Sequence, residues 1–214
     1  MRPRLAAAAF LGAVAALRGA PASAQTAEAA PHGPWQVSLF GGWWSAIGTP
    51  YLYRTPVGHF EVGFGSAAAF GASAGLDLSR RAGLELSWMQ ASPAERYAGP
   101  TPAAIRNVTR NVFELDSLWY FRRGGFEPYG ILGVGGASTG SSFGGTNFTA
   151  VLGLGLKAYV SRRVAVRADV RFDAAYGNVD HPGDSAFCDS GGCYFYRSSW
   201  SWSLPVTAGL TIAF

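Results

Sequence analysis

The segment Val164-Ala165-Val166-Arg167-Ala168-Asp169-Val170-Arg171-Phe172-Asp173 constrains this chain more than any other. Successive residues of a strand point to opposite faces, so Val164, Val166, Ala168, Val170 and Phe172 share one side, and Arg167, Asp169, Arg171 and Asp173 share the other. A strand of a soluble sandwich has the same period of two, but its polar face looks into water and needs no balance of charge. Two arginines alternating with two aspartates suit a closed interior. The segment therefore predicts an all-β chain, with a polar lumen and an apolar outside.

The pattern recurs. Leu84, Leu86 and Trp88 share a face, and Phe113, Leu115, Trp119 and Phe121 oppose Glu114, Asp116 and Tyr120. In 129–137 and 150–156 glycines take alternate positions beside Ile131, Val134, Leu152 and Leu154, permitting tight curvature and leaving interior room for neighbours' side chains. Strands are expected at about 35–45, 67–79, 83–92, 111–122, 128–138, 147–161, 164–175 and 199–214, eight in all. Short connections at 80–82, 123–127 and 162–163 alternate with long ones at 46–66, 93–110, 139–146 and 176–198. That asymmetry fits an eight-stranded antiparallel up-and-down transmembrane β-barrel with tight periplasmic turns and longer external loops. Every short turn carries an arginine pair, Arg80-Arg81, Arg122-Arg123 or Arg162-Arg163, which either solubilises the turn or meets anionic headgroups. Two aromatic girdles are expected: Trp43, Trp44, Trp88, Tyr176, Trp200 and Trp202 toward the loops, and Trp35, Trp119, Phe121, Tyr129, Tyr159 and Phe214 toward the turns.

Export is expected from the first residues. Arg2 and Arg4 precede an apolar run from Leu5 to Leu17, and Ala22-Ser23-Ala24 has the small-x-small form of a cleavage site. The run is shorter than the ~20 residues of a spanning helix. Residues 1–24 are read as a signal peptide, 25–34 as a mature N-terminal tail and 35–214 as the barrel domain. Arg2, Arg4 and Arg18 leave with the signal peptide, so 14 Lys and Arg face 13 Asp and Glu, and the excess falls from +4 to +1. A near-neutral mature chain has no broad basic surface for nucleic acid. Cys188 and Cys193 are expected to form a local disulfide in an oxidising compartment; no histidine or third cysteine stands at metal-ligand spacing.

The chain ends on a strand whose alternate positions are Leu204, Val206, Ala208, Leu210, Ile212 and Phe214. Here it resembles the small outer-membrane β-barrels of the OmpA/OmpX type, most specifically in Leu210-Thr211-Ile212-Ala213-Phe214 and in Pro128-Tyr129-Gly130-Ile131-Leu132-Gly133-Val134-Gly135. The resemblance implies a bacterial outer-membrane location, contact with outer-membrane lipid and lipopolysaccharide, and a terminal signal at Leu210, Ile212 and Phe214 read by the barrel-assembly machinery. Pro205 departs from an ideal strand, as a bulge or as the upper limit of pairing.

Glu85, Glu114, Asp116, Arg167, Asp169, Arg171 and Asp173, with Lys157 as a further candidate, are expected to form a charge network plugging the lumen. The pair Glu114 and Asp116 needs no substrate to explain it, so a glycosidase is rejected. Lipid-facing positions are Leu84, Leu86, Val166, Val170, Leu210 and Ile212. His32, His59 and His181 are the only histidines; His181, Ser185 and Asp184 are the residues a lipid A deacylase would need, but the His-x-Ser-Asn pattern is missing. Asp180, Asp184 and Asp189 do not match a calcium loop. Tyr51, Tyr53, Tyr194 and Tyr196 stand in aromatic triplets that either contact an extracellular ligand or extend strands above the membrane. The expectation is a monomeric barrel with a structural or surface-interaction role, without catalysis, cofactor or metal. A narrow passive channel and a lipid A-modifying enzyme are the alternatives.

Overall fold

The computed structural model describes residues 33–47, 51–55, 58–98, 105–140, 146–177, 186–189, 192–195 and 199–214. The signal peptide, most of the N-terminal tail, His32, Asp180, His181, Asp184, Ser185 and Tyr196 lie outside them.

Eight long strands close into one antiparallel barrel: β1 (Trp35–Ile47), β4 (Ala67–Asp77), β5 (Ala82–Ala91), β8 (Arg110–Tyr120), β9 (Phe126–Thr139), β10 (Thr146–Tyr159), β11 (Val164–Gly177) and β14 (Ser199–Ala213). Each boundary falls within two residues of the sequence expectation. Around the ring every strand pairs with its sequence neighbours among the eight, and β1 closes on β14 through a register running from Gln36↔Ala213 to Ile47↔Trp202. The up-and-down topology is thus complete.

The wall is inside out relative to a soluble protein. One residue from each strand illustrates it: Leu39, Phe70, Leu86, Leu115, Leu132, Leu152, Val166 and Leu210 are all exposed, while Glu85, Glu114, Asp116, Arg167, Asp169, Arg171 and Asp173 are buried. Apolar side chains on the outside of a ladder that closes around the whole ring are what hydrocarbon requires of a spanning sheet.

The long connections contain strands that the sequence pattern did not separate. Strands β2 (Tyr51–Thr55) and β3 (Gly58–Phe64) from the first join β6 (Ala94–Ala98) and β7 (Ile105–Asn107) from the second in a sheet of order β2-β3-β6-β7. A hairpin of β12 (Ala186–Asp189) and β13 (Gly192–Phe195) stands in the fourth, with Cys188 directly opposite Cys193. Tyr51, Tyr53 and Tyr194 therefore lie on strands above the barrel wall.

Three expectations need correction. Trp44 and Tyr129 belong to no girdle: they are 2% and 0% exposed, because their strand parity turns them into the lumen. Tyr159 shares the inward parity of Lys157 and leaves the girdle as well, whereas Trp88 faces outward and is half-buried against Phe70, so the outward aromatics are Trp43, Trp88, Tyr176, Trp200 and Trp202 on the loop side and Trp35, Trp119, Phe121 and Phe214 on the turn side. Arg110, assigned to a loop, begins β8 and is buried. Pro205 marks neither a bulge nor the end of pairing. Pairing of β11 with β14 stops at Val170↔Val206 and resumes at Asp173↔Ser203 in the same register, while Trp44↔Pro205 continues the other edge. The proline nitrogen, which carries no hydrogen, interrupts one ladder and leaves its partner intact.

Candidate functional site

The lumen holds the only large assembly of polar side chains among the described residues, and strand parity puts it there. Tyr129, Gly155 and Asp169 stand side by side on β9, β10 and β11. Gly155 has no side chain where the Tyr129 ring crosses to donate its hydroxyl to Asp169 Oδ1, and a Cβ there would collide with that ring. Glu114 and Asp116 on β8 face Gly135 and Gly133 on β9 in the same way. Glycines on one strand thus make room for the charged side chains of the next.

Two arginines of β11 organise the centre. Arg167 grips Glu85 with both terminal nitrogens, Nη2 to Oε1 at 2.7 Å, and donates from Nε to Asp169 Oδ2 at 2.6 Å. Its Nη1 also reaches the hydroxyls of Ser38 and Ser73, at 3.4 and 3.3 Å. Arg171 donates from Nη1 to Glu114 Oε2 and Asp116 Oδ2, both at 2.9 Å, and from Nη2 to Glu85 Oε1 at 3.4 Å. Glu85 therefore joins the two clusters. Asp173 sits in the same interior but accepts from Ser203 Oγ, at 3.4 Å. Lys157, 1% exposed, donates to Gln36 Oε1 and to the Tyr120 hydroxyl, linking this centre to the turn-side mouth.

The ends are closed by residues the sequence reading assigned elsewhere. Arg123, read as a rim arginine, folds across the turn-side mouth. Its Nη1 donates to Asp77 Oδ2 at 2.9 Å and Glu127 Oε2 at 3.1 Å, and its Nε and Nη2 cap the carbonyls of Arg80 and Ser79. Its guanidinium carbon lies 3.4 Å from the centroid of the Tyr120 ring. Burial opposes this charge, but the hydrogen bond to Asp77 and the surrounding acids outweigh it and hold the group above the usual arginine value. Gly124, at φ 147°, lets the turn double back so that Arg123 points inward. At the loop side Trp44, Met89, Val112 and Ala137 pack together, and Arg110 lies 5.7 Å from the Trp44 ring centroid and donates to Thr139 Oγ1 at 3.1 Å. Between Trp44, Arg110, Ser201 and Ser203 there is a chamber of about 10 Å³, room for one water.

All seven residues singled out for the lumen face it. Tyr129 and Glu127 share the inward parity of β9 and were readable from it; Arg123 lies in a turn, where parity says nothing. At the other extreme of the wall, Leu210 and Ile212 point outward and Phe214 lies exposed at the chain end, its backbone bonded to Trp35.

Solved structures share this geometry. OprG of Pseudomonas aeruginosa superposes with a TM-score of 0.61 at 13% identity, covering 86% of this chain and 97% of that one. Neisserial surface protein A gives 0.53 at 12% identity, covering 86% and 100%; the outer membrane protein AlkL gives 0.50 at 15%, covering 88% and 94%. The chain has the fold of the small outer-membrane β-barrels. No family model and no curated protein matches its sequence. The closed barrel and its inverted wall are both those of a sheet that spans a membrane.

Proposed function

We propose that this barrel is a sealed wall element of the outer membrane that holds structured loops above the surface, without conducting solutes or catalysing a reaction. One observation carries the reading: an ion and hydrogen-bond network that begins at Arg123 in one mouth, and an apolar cluster around Trp44 in the other, together fill the lumen. Eight-stranded barrels have interiors just wide enough for side chains to fill. Here the fill is charged, and the carboxylates of Glu85 and Asp169 are committed to Arg167 rather than aimed at an open space. The loop sheet β2-β3-β6-β7 and the β12–β13 hairpin support the second half of the proposal, since ordered strands can present a fixed surface to lipopolysaccharide or an extracellular ligand.

Conductance across a planar bilayer tests it. Folded mature protein is expected to give no discrete current steps at any salt concentration. Reproducible steps from protein that also shows the unboiled gel shift of a closed barrel would overturn the sealed lumen in favour of a narrow passive channel.

A further inference from the structure

The β4–β5 and β8–β9 turns are neighbours on the rim, and side-chain and backbone bonds fasten one to the other. In the first, the nitrogens of Leu78 and Ser79 both donate to the Ala82 carbonyl at 3.0 Å, and Ser79 Oγ accepts from the nitrogens of Arg81 and Ala82 at 3.2 and 3.0 Å. Three further bonds cross to the second. Arg123 donates from Nε to the Arg80 carbonyl at 3.0 Å and from Nη2 to the Ser79 carbonyl at 3.2 Å, and Tyr120 N donates to the Arg81 carbonyl at 3.0 Å. Gly124 N donates to Glu127 Oε1 at 3.2 Å, which closes the second turn on itself.

Arg123 thus holds a double turn that carries three more arginines, Arg80, Arg81 and Arg122, all exposed. Among the described residues no acid pairs with any of the three, because Asp77 and Glu127, the acids of this part of the rim, both bind Arg123. Strands lie about 4.8 Å apart along the ladder, so two turns set two strands on stand about 10 Å from one another. Beside the arginines is a collar of exposed apolar side chains, Leu78, Trp119 and Phe121, with the Phe121 ring laid over Gly130 of the next strand. Positive forks on two adjacent turns, bordered by apolar surface, call for an anion with charge at two places and hydrocarbon attached.

We propose that this fastened pair of turns is a ledge that binds a glycerophospholipid of the periplasmic leaflet carrying two phosphates in one headgroup. Arg80 and Arg81 serve one phosphate and Arg122 the other, while Leu78, Trp119 and Phe121 lie against the acyl chains at the edge of the hydrocarbon. A lipid with a single phosphate satisfies only one of the two turns. Both backbones are already bonded, so binding orders no loop. This goes beyond the sealed-barrel reading and does not depend on it, since a conducting barrel would carry the same turns.

The test uses the whole mature protein in phosphatidylcholine bilayers containing a trace of chain-spin-labelled cardiolipin, which has two phosphates, or phosphatidylglycerol, which has one. The motionally restricted fraction gives the relative association of each lipid, after unboiled gel mobility has verified folding. Wild type is expected to favour cardiolipin over phosphatidylglycerol by about fivefold, the scale of one further arginine near an anionic phosphate. The preference should fall at high salt. The variant R80Q/R81Q/R122Q should lose it; the acyl chains are unchanged between proteins, so this loss reports the headgroup. R163Q, four strands away on the opposite side of the ring from the β4–β5 turn, should keep it. Equal association of the two lipids with wild type, an unchanged preference in the folded triple variant, or an equal loss in R163Q overturns the proposal, the last because charge anywhere on the rim would then suffice. So does displacement of labelled cardiolipin by excess inorganic pyrophosphate, which would make the ledge a site for a soluble anion. Should the triple variant fail to fold, R122Q and R80Q/R81Q are measured separately: each is expected to lower the preference, and no change in either overturns the ledge.

Discussion

Replacing Arg167 by methionine probes the interior most directly. The guanidinium satisfies both oxygens of Glu85, one oxygen of Asp169 and the hydroxyls of Ser38 and Ser73, and both carboxylates are 2% exposed. Removing it leaves Glu85 with only the longer contact to Arg171, at 3.4 Å, and Asp169 with only the Tyr129 hydroxyl, and losing one partner of a buried ion pair costs roughly 3–5 kcal/mol. Methionine fills much of the volume, so a cavity adds little. The variant R167M/E85Q/D169N removes all three charges together and should unfold within about 1 kcal/mol of wild type, because neutral replacements of a buried cluster also escape its desolvation cost. The assay is urea unfolding of barrels folded into liposomes, followed by tryptophan fluorescence and by the mobility of unboiled samples. A loss below about 1 kcal/mol in the single variant would refute the reasoning. Water would then be solvating Glu85 and Asp169, and the lumen would be wet rather than sealed.

Other outcomes follow from the wall and the loops. Val166→Arg places a charge on the lipid face and should cost ~2–4 kcal/mol, whereas Val160→Arg at the turn edge should cost ~0–1; equal penalties in liposome unfolding would reverse the assigned depths. Gly135→Ala puts a Cβ against the backbone carbonyl of Phe113, which cannot move aside, and should destabilise the barrel by about 1–3 kcal/mol in the same assay; a neutral result would mean the β8–β9 register differs from Glu114↔Gly135. Cys188 and Cys193, opposite one another in their hairpin, should resist alkylation until reduced, and C188S/C193S should keep the barrel's gel mobility. Ready alkylation of the unreduced protein would rule out the bridge.

The strands and their faces were legible in the sequence, and the placement of the lumen acids with them. Alternation from Val164 to Asp173 is a local property: residue i and residue i+2 share a side whatever the rest of the chain does. The boundaries, the outward Leu86 and Leu210 and the inward Glu85 and Arg171 all follow from it. Parity assigns a face and nothing more, so it says which charges are inside without saying which of them meet.

Pairing across the barrel was decided only by closure. Arg167 and Glu85 are 82 residues apart, and it is the ring of eight strands, with its fixed registers, that brings them together. Trp44 was misplaced for a different reason: its aromatic character suggested a membrane girdle, although its parity with Gln36 and Ser38 on β1 turns it inward as a plug. Arg123 lies in a turn without strand parity, and its inward fold rests on Gly124 and on acids contributed by β4 and β9. The loop sheet combines short strands from two separate connections, of which β3 alternates Phe60, Val62 and Phe64 with His59, Glu61 and Gly63, but no local pattern says that it pairs with β6 from the second connection. Sequence determined the faces because side-chain direction depends on near neighbours; tertiary structure chose the partners because contact depends on how distant strands are aligned around a closed ring.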